Sequence, residues 1–365
     1  VEDAIALLEG ALTIYGPATQ EEKICAYLVA QMHALGFRAF RDEAGNAVGI
    51  LEPSLPTFLP NRERGEGTRR DVTKEIVLLG HMDTVPGFIP VRREGDKLYG
   101  RGAVDARGPL CTFIVAAAQV GAREGWRIVV VGAVEEEYAT SKGARFAATQ
   151  YRPTYCVIGE PSGWDRVTLG YKGRLLVHYR KAREMSHTAG QQRGVAESAV
   201  TFWNRVNALA MQYNQDKKGM FEQLDPSLRR IHTGDDPFTD SVEMTIGIRV
   251  PVGVQIKNLK SDIKNFADDA ELSFASEEEA YRADKNTPLV RAFLASLRAH
   301  GAKPGFTVKS GTADMNVVAP LWNCPIVAYG PGDSNLDHTP HEHIDVNEYL
   351  KAIEVLADVL QSLME

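Results

Sequence analysis

Apolar residues recur at intervals of three and four along "AIALLEGALTIY" (4–15) and "EEKICAYLVAQMHALG" (21–36). That spacing predicts two amphipathic helices, the second stopped by Gly36. The runs "IVLLG" (76–80), "RIVVVGAV" (127–134) and "YCVIG" (155–159) are short, β-rich and apolar throughout, which predicts strands buried on both faces. Between the first two lies "PLCTFIVAAAQVGA" (109–122), a predicted helix with Pro109 just inside its start. Strand–helix–strand alternation predicts an α/β fold on a mostly parallel sheet covered on both faces.

Beyond residue 172 the pattern changes. "GRLLVHY" (173–179), "SVEMTIGIRV" (241–250) and "AELSFAS" (270–276) read as strands. "AESAVTFWNRVNALAMQY" (196–213) and "NLKSDIKNFADD" (258–269) read as helices. The order suggests an inserted α+β domain of βαββαβ type over 173–286. It splits the α/β domain into a first part, 1–172, and a second part, 287–365. That second part resumes with the helix "PLVRAFLASLRAHG", the strand "PIVAYG" and a closing helix, "VNEYLKAIEVLADVLQSL". The segment 52–75 is rich in Pro, Gly and Arg without periodicity, and predicts a flexible excursion.

The chain of 365 residues is 44% hydrophobic, enough for a sizeable core. Its net charge of −7 argues against nucleic acid or an anionic membrane as partner. The longest apolar run, Leu110 to Ala122, is too short to span a bilayer, and "VEDAIALLEGAL" lacks the basic start of a signal peptide. Cys25, Cys111, Cys156 and Cys324 form no CxxC pair and read as reduced core thiols, so a cytoplasmic location is expected.

Polar groups recur where the predicted parallel strands end. His81 follows "IVLLG", Glu135, Glu136 and Glu137 follow "RIVVVGAV", Glu160 follows "YCVIG" and His338 lies beyond "PIVAYG". Asp105, in "GRGAVDARGP", precedes the helix at 109. Open α/β sheets bind their ligands at the carboxyl ends of strands. Two imidazoles and several carboxylates without a thiolate suit a divalent cation such as zinc. One carboxylate shared by two ions would make a paired centre that acidifies a water and polarises a carbonyl, and a spare carboxylate would serve as general base. Singly, each piece has a plainer explanation: a surface histidine, a solvated run of glutamates, a turn at "GEP". Their order, each after an apolar strand, gives them weight together.

The motifs "HMDTVP", "GRGAVDARGP", "EEEYATSKGA", "GEPSG", "SHTAG", "IRVP" and "DHTPHEH" resemble those of a two-zinc metallopeptidase family. It includes acetylornithine deacetylase, succinyl-diaminopimelate desuccinylase, aminoacylase and glutamate carboxypeptidase. The resemblance covers the chain from first helix to last. It implies a di-zinc peptidase domain carrying an inserted lid and dimerisation domain. His81 and Glu160 would hold one zinc, Glu137 and His338 the other, and Asp105 would bridge them, with cobalt able to substitute. Asp83 would orient His81 through its other ring nitrogen, and Glu136 would be the general base. In the family the paired glutamates stand five residues before the glycine of a "GSxGA"-like turn. Here Glu137 stands six before Gly143, so an inserted residue leaves Glu135 and Glu136 as the other register. His187 would support the oxyanion, often across a dimer interface. Arg249 would grip the substrate carboxylate, a task suited to its planar fork. "SGTADMN", with Gly311 and Thr312, resembles the family's substrate loop.

Within the family, "VGAVEEE", "SKGAR", "GYKGRL" and "SGTADMN" look like the branch that frees lysine or ornithine from the C-terminal glutamate of an acidic amino-group carrier protein. The alternatives are deacetylation of acetylornithine or acetyl-lysine, that is, a small N-acylated amino acid, and general dipeptidase or carboxypeptidase action. A non-catalytic member of the fold is the remaining one. An acidic carrier would need a basic surface, and Lys172, Arg174, Arg180, Lys181 and Arg183 are the candidate patch, with a solvated strand face as the plain alternative. A homodimer sharing its sites should regain activity when inactive His187→Ala and Glu136→Gln subunits are mixed. Confirmed subunit exchange without recovered activity would refute the sharing.

Overall fold

The structure is a computed structural model that describes residues 1–53, 74–185, 194–234 and 236–365. Most of the predicted 52–75 excursion, and His187, lie outside the described residues. Contacts divide the chain into two units: Val1–Leu169 with Ala283–Thr307 and Val317–Glu365, and Gly170–Arg282 with Val308–Asn316.

In the first unit four strands run parallel at the centre of a sheet, in the order Trp126–Ala133, Lys74–His81, Tyr155–Gly159 and Ile326–Tyr329. These are the four apolar runs, and Lys74–His81 is buried from its second residue to its last. Ala47–Leu51 and Arg166–Tyr171 flank the parallel group as antiparallel neighbours, and Arg38–Arg41 continues beyond the former. The helix Arg107–Val120 is buried along most of its first ten residues, and Gly121, at φ +69°, ends it. It sits close because the strands carry glycine beneath it. Gly80 pairs with Gly132 on one side and Gly159 on the other. A Cβ on Gly159 would stand 3.0 Å from both Gly80 Cα and the Phe113 ring.

The same helix begins with a buried guanidinium. Arg107 Nε donates to Met82 O at 2.9 Å, while its two Nη atoms reach Ala11 O, Ile14 O and Gly16 O at 2.9, 2.6 and 3.2 Å. It thus satisfies carbonyls at the end of the helix Glu2–Thr13 and just past the strand Lys74–His81. Burial draws its pKa down to about 10, still charged at neutral pH.

The second unit is an antiparallel sheet, in the order Asp225–Thr233, Thr239–Val250, Gly173–Glu184 and Glu271–Glu278, with helices Val195–Asn214 and Ile256–Lys264. Leu175, Val177 and Tyr179 alternate inward from one strand and share a core with Phe202, Val206, Leu259 and Ile263 of the helices. The second predicted helix of this region ends at Lys264 rather than 269, since Asn265 to Ala267 close it in turns.

Arg107→Met should lower unfolding stability by at least about 3 kcal/mol, because four carbonyls lose a charged donor in a place water does not reach. Urea unfolding measures this. An unchanged midpoint would show that those carbonyls find other partners.

Candidate metal centre

Three of the parallel strands deliver polar residues at or just past their carboxyl ends, and His338 lies nine residues beyond the fourth, Ile326–Tyr329. His81 is the last residue of Lys74–His81 and is 1% exposed. Its Nδ1 lies 3.1 Å from the Asp83 carbonyl oxygen, so Nδ1–H donates there and Nε2 faces Asp105 Oδ1, also at 3.1 Å. Glu160 Oε1 stands 3.9 Å from the same nitrogen. On the other side His338 Nε2 lies 3.0 Å from Asp105 Oδ2 and 2.9 Å from Glu137 Oε1. One carboxylate therefore stands between two imidazoles, with a further carboxylate beside each. One atom each of His81, Asp105 and Glu137 lie within 4.8 Å of one another.

The turn bearing the glutamates is held by its backbone. Four successive N–H groups donate to buried or half-buried side chains: Val134 to Asn46 Oδ1, Glu135 to Glu21 Oε1, and Glu136 and Glu137 to the two oxygens of Asp83, at 3.0 to 3.2 Å. Glu135 takes a left-handed conformation, φ +58°. Its side chain accepts from Thr140 Oγ1 at 2.6 Å and lies 3.7 Å from Lys142 Nζ. Glu137, not Glu135, meets His338. Asp83 Oδ1 is 3.5 Å from His81 Nδ1, farther than its own carbonyl, so its carboxylate chiefly orders the turn.

Asp105 has its own support, from a residue that the sequence reading passed over. Glu342 Oε1 accepts from the N–H groups of Val104 and Asp105 at 3.0 and 3.2 Å, while Oε2 pairs with Arg101 at 2.8 Å. Glu342 adjoins the strand His343–Asp345, which pairs with Lys97–Tyr99. Nothing in "HEH" marks its middle residue as buried, and a separation of 237 residues hides the contact.

The electrostatics call for positive charge. Hydrogen bonds to Asp105 and then Glu137 raise His338 to about 10. Burial opposes a charge on His81, yet hydrogen bonds to Asp105 and Asp83 raise it well above its usual value, and Glu136 adds to the effect. Burial likewise opposes an ionised Asp105, but the two imidazoles hold it well below the carboxylate range. Burial raises Glu137. Clustered carboxylates and imidazoles that draw positive charge, with no thiol, fit a divalent cation.

In the second unit Arg249 Nη1 donates to Thr312 Oγ1 at 2.8 Å, and Thr312 donates to Lys172 O at 3.1 Å, with Gly311 next in the chain. The basic patch expected around 172–183 is corrected here, because each of its cations already has an acid. Lys172 is fully buried against Asp225, and Arg174 lies 3.5 Å from Glu278. Arg180 faces Glu243, Lys181 faces Asp269 and Arg183 faces Asp240.

The profile of peptidase family M20/M25/M40 matches residues 77–362. A Deinococcus radiodurans protein named [LysW]-lysine hydrolase is 42% identical, over 98% of this chain and 96% of its own. A more distant relative from Saccharolobus islandicus, named [LysW]-lysine/[LysW]-ornithine hydrolase, is 28% identical over 97% and 96% of the two chains. Among solved structures, an M20-family metallo-carboxypeptidase of Sulfolobus solfataricus aligns over the whole of both chains, with a TM-score of 0.76 at 17% identity. That last likeness is one of fold alone.

Glu342→Ala should cost about 3–5 kcal/mol of stability by stranding Arg101. By loosening Asp105 it should also weaken metal binding by roughly 10–100-fold. Chelator competition and thermal unfolding read the two separately. A stability loss with intact metal affinity would show that Glu342 serves the fold only.

Proposed function

The chain belongs to peptidase family M20/M25/M40, and on that premise we propose that it is a two-zinc amidohydrolase that frees lysine, or ornithine, from the C-terminal glutamate of an acidic carrier protein. The substrate reading rests on the near full-length likeness to a protein named [LysW]-lysine hydrolase. The chemical reading rests on one observation, an Asp105 whose two oxygens face His81 and His338.

His81 and Glu160 would hold one zinc and Glu137 and His338 the other, with Asp105 shared. The ions would supply the Lewis acidity that acidifies a water and polarises the amide carbonyl. Everything else falls to side chains. Glu136, whose N–H is fixed by Asp83, takes a proton from the attacking water as its oxygen adds to the amide carbon. When the C–N bond breaks, Glu136 returns that proton to the leaving α-amino group of lysine. Water is consumed, and the carrier keeps its γ-carboxylate. Arg249, steered by Thr312, is the proposed grip for the lysine carboxylate, with Gly311 offering open backbone beside it. His187 is proposed as the oxyanion donor on the strength of its motif. In the cell the enzyme is proposed to be cytoplasmic and homodimeric, as its cysteine usage and its family resemblance suggest.

Glu136→Gln should keep its metal while turnover falls by roughly 10²–10⁴-fold, the usual contribution of a general base. Glu137→Gln should lose metal, and Glu135→Gln should change little beyond stability. Loss of turnover with metal retained in Glu135→Gln would shift the register by one residue. The zinc-loaded wild type should prefer carrier-linked lysine to carrier-linked ornithine, acetyl-lysine and acetylornithine. A preference for an acetylated compound would replace the carrier reading with deacetylation.

A further inference from the structure

We propose that a lysine-lined groove on the helix Ile256–Lys264 is the docking site for the body of the acidic carrier; the inference rests on the functional reading above and names the surface that reading lacks. With the cations of 172–183 neutralised, and a chain carrying −7 overall, an acidic protein would be repelled unless some local surface is positive. The groove is such a surface. It has a volume of about 500 Å³, and Lys257, Lys260 and Lys264 line it. At spacings of three and four they form one stripe on the helix.

Two of the three ammonium groups are pre-positioned by an aromatic ring, and two have no acid of their own among the described residues. Lys260 and Lys264 lie with Nζ 5.0 and 5.7 Å from the centre of the Phe274 ring, which steers both side chains. Glu277 pairs with Lys260 at 2.6 Å, and Glu279 Oε1 accepts the Ile256 N–H at 2.9 Å, so three lysines face two acids, one of them already paired. Among the described residues Lys257 and Lys264 have no carboxylate within 4 Å, so they can meet a partner's carboxylates without first losing their own. Ammonium groups on long stems make adaptable, strongly hydrated contacts. That suits a carrier that must leave after each turnover.

The groove is also wired, within the second unit, to the pair proposed to hold the substrate. The Glu279 carbonyl accepts from Asn316 Nδ2 at 2.8 Å, and the same amide lies 3.2 Å from the Lys172 carbonyl. That carbonyl accepts from Thr312, which accepts from Arg249. A docked carrier would therefore rest on the same hydrogen-bonded framework that presents Arg249.

The test compares two substrates on the zinc-loaded full-length enzyme: carrier protein bearing lysine, and γ-glutamyl-lysine, the same scissile bond without the carrier. Lys257→Glu with Lys264→Glu should raise KM for the carrier about tenfold at unchanged kcat and leave γ-glutamyl-lysine within about twofold. The rise of KM with ionic strength expected of the wild type should flatten in the variant. Replacing Arg180, Lys181 and Arg183 with alanine should leave that salt dependence in place. The single variant Lys257→Gln, which keeps the helix intact, should give an intermediate KM. An unchanged carrier KM, or an equal loss on both substrates, overturns the docking site and leaves the functional reading standing. A wild type inert toward carrier-linked lysine overturns that reading and the docking site with it.

Discussion

The centre depends on a buried carboxylate placed where two strands end side by side. Asp83 follows the strand that delivers His81, and its oxygens accept the N–H groups of Glu136 and Glu137 just beyond the neighbouring strand. A carboxyl group at 0% exposure is costly unless its oxygens are hydrogen-bonded, and here each oxygen accepts a backbone N–H. The relationship runs both ways, since those donors would themselves be stranded without an acceptor. Asn46 and Glu21 extend the device to Val134 and Glu135. Glu342 repeats it for Val104 and Asp105. Asp105, Glu136 and Glu137 are thus held by other buried or half-buried polar side chains that act on their main chain.

This division explains what could be read from the sequence. Buried parallel strands require unbroken apolar runs, so polar residues ending them stand out, as His81 and Glu160 do, while His338, nine residues past its strand, was marked by its motif. The supporting groups leave no such trace. Asn46, Glu21 and Glu342 act over separations of 88, 114 and 237 residues, and locally each is an ordinary polar residue. The three glutamates are chemically alike, and only the structure sorts them, by the left-handed backbone at Glu135 and the contact of Glu137 with His338. The strand Asp225–Thr233, "DPSLRRIHT", was also illegible, because it is an exposed edge held by its ladder to Thr239–Val250 rather than by burial. Lys172 misled for the opposite reason. A lysine within a cationic stretch reads as surface, whereas this one is buried against Asp225 and two carbonyls, those of Met220 and Gln223.

The two units handle charge differently. In the first, carboxylates and imidazoles are crowded beyond what they can neutralise alone, and the fold's hydrogen bonds are spent on keeping them so. In the second, Arg174, Arg180, Lys181 and Arg183 of one central strand each face an acid, while Lys257 and Lys264 on the helix Ile256–Lys264 have none among the described residues.

The matched charges of the second unit bear on how that sheet finds its alignment. Arg180 stands opposite Glu243 and Arg183 opposite Asp240 on one neighbouring strand, and Arg174 opposite Glu278 on the other. Sliding Gly173–Glu184 by two positions would keep its apolar face turned inward, so burial alone cannot penalise that error. The slip would set Arg180 against Ser241 or Thr245, and Arg183 against Phe238 or Val242. The exposed Arg180–Glu243 pair adds little to the stability of the finished sheet. Together the three pairs tell the correct alignment from its nearest competitor, so these arginines act as a key for strand assembly.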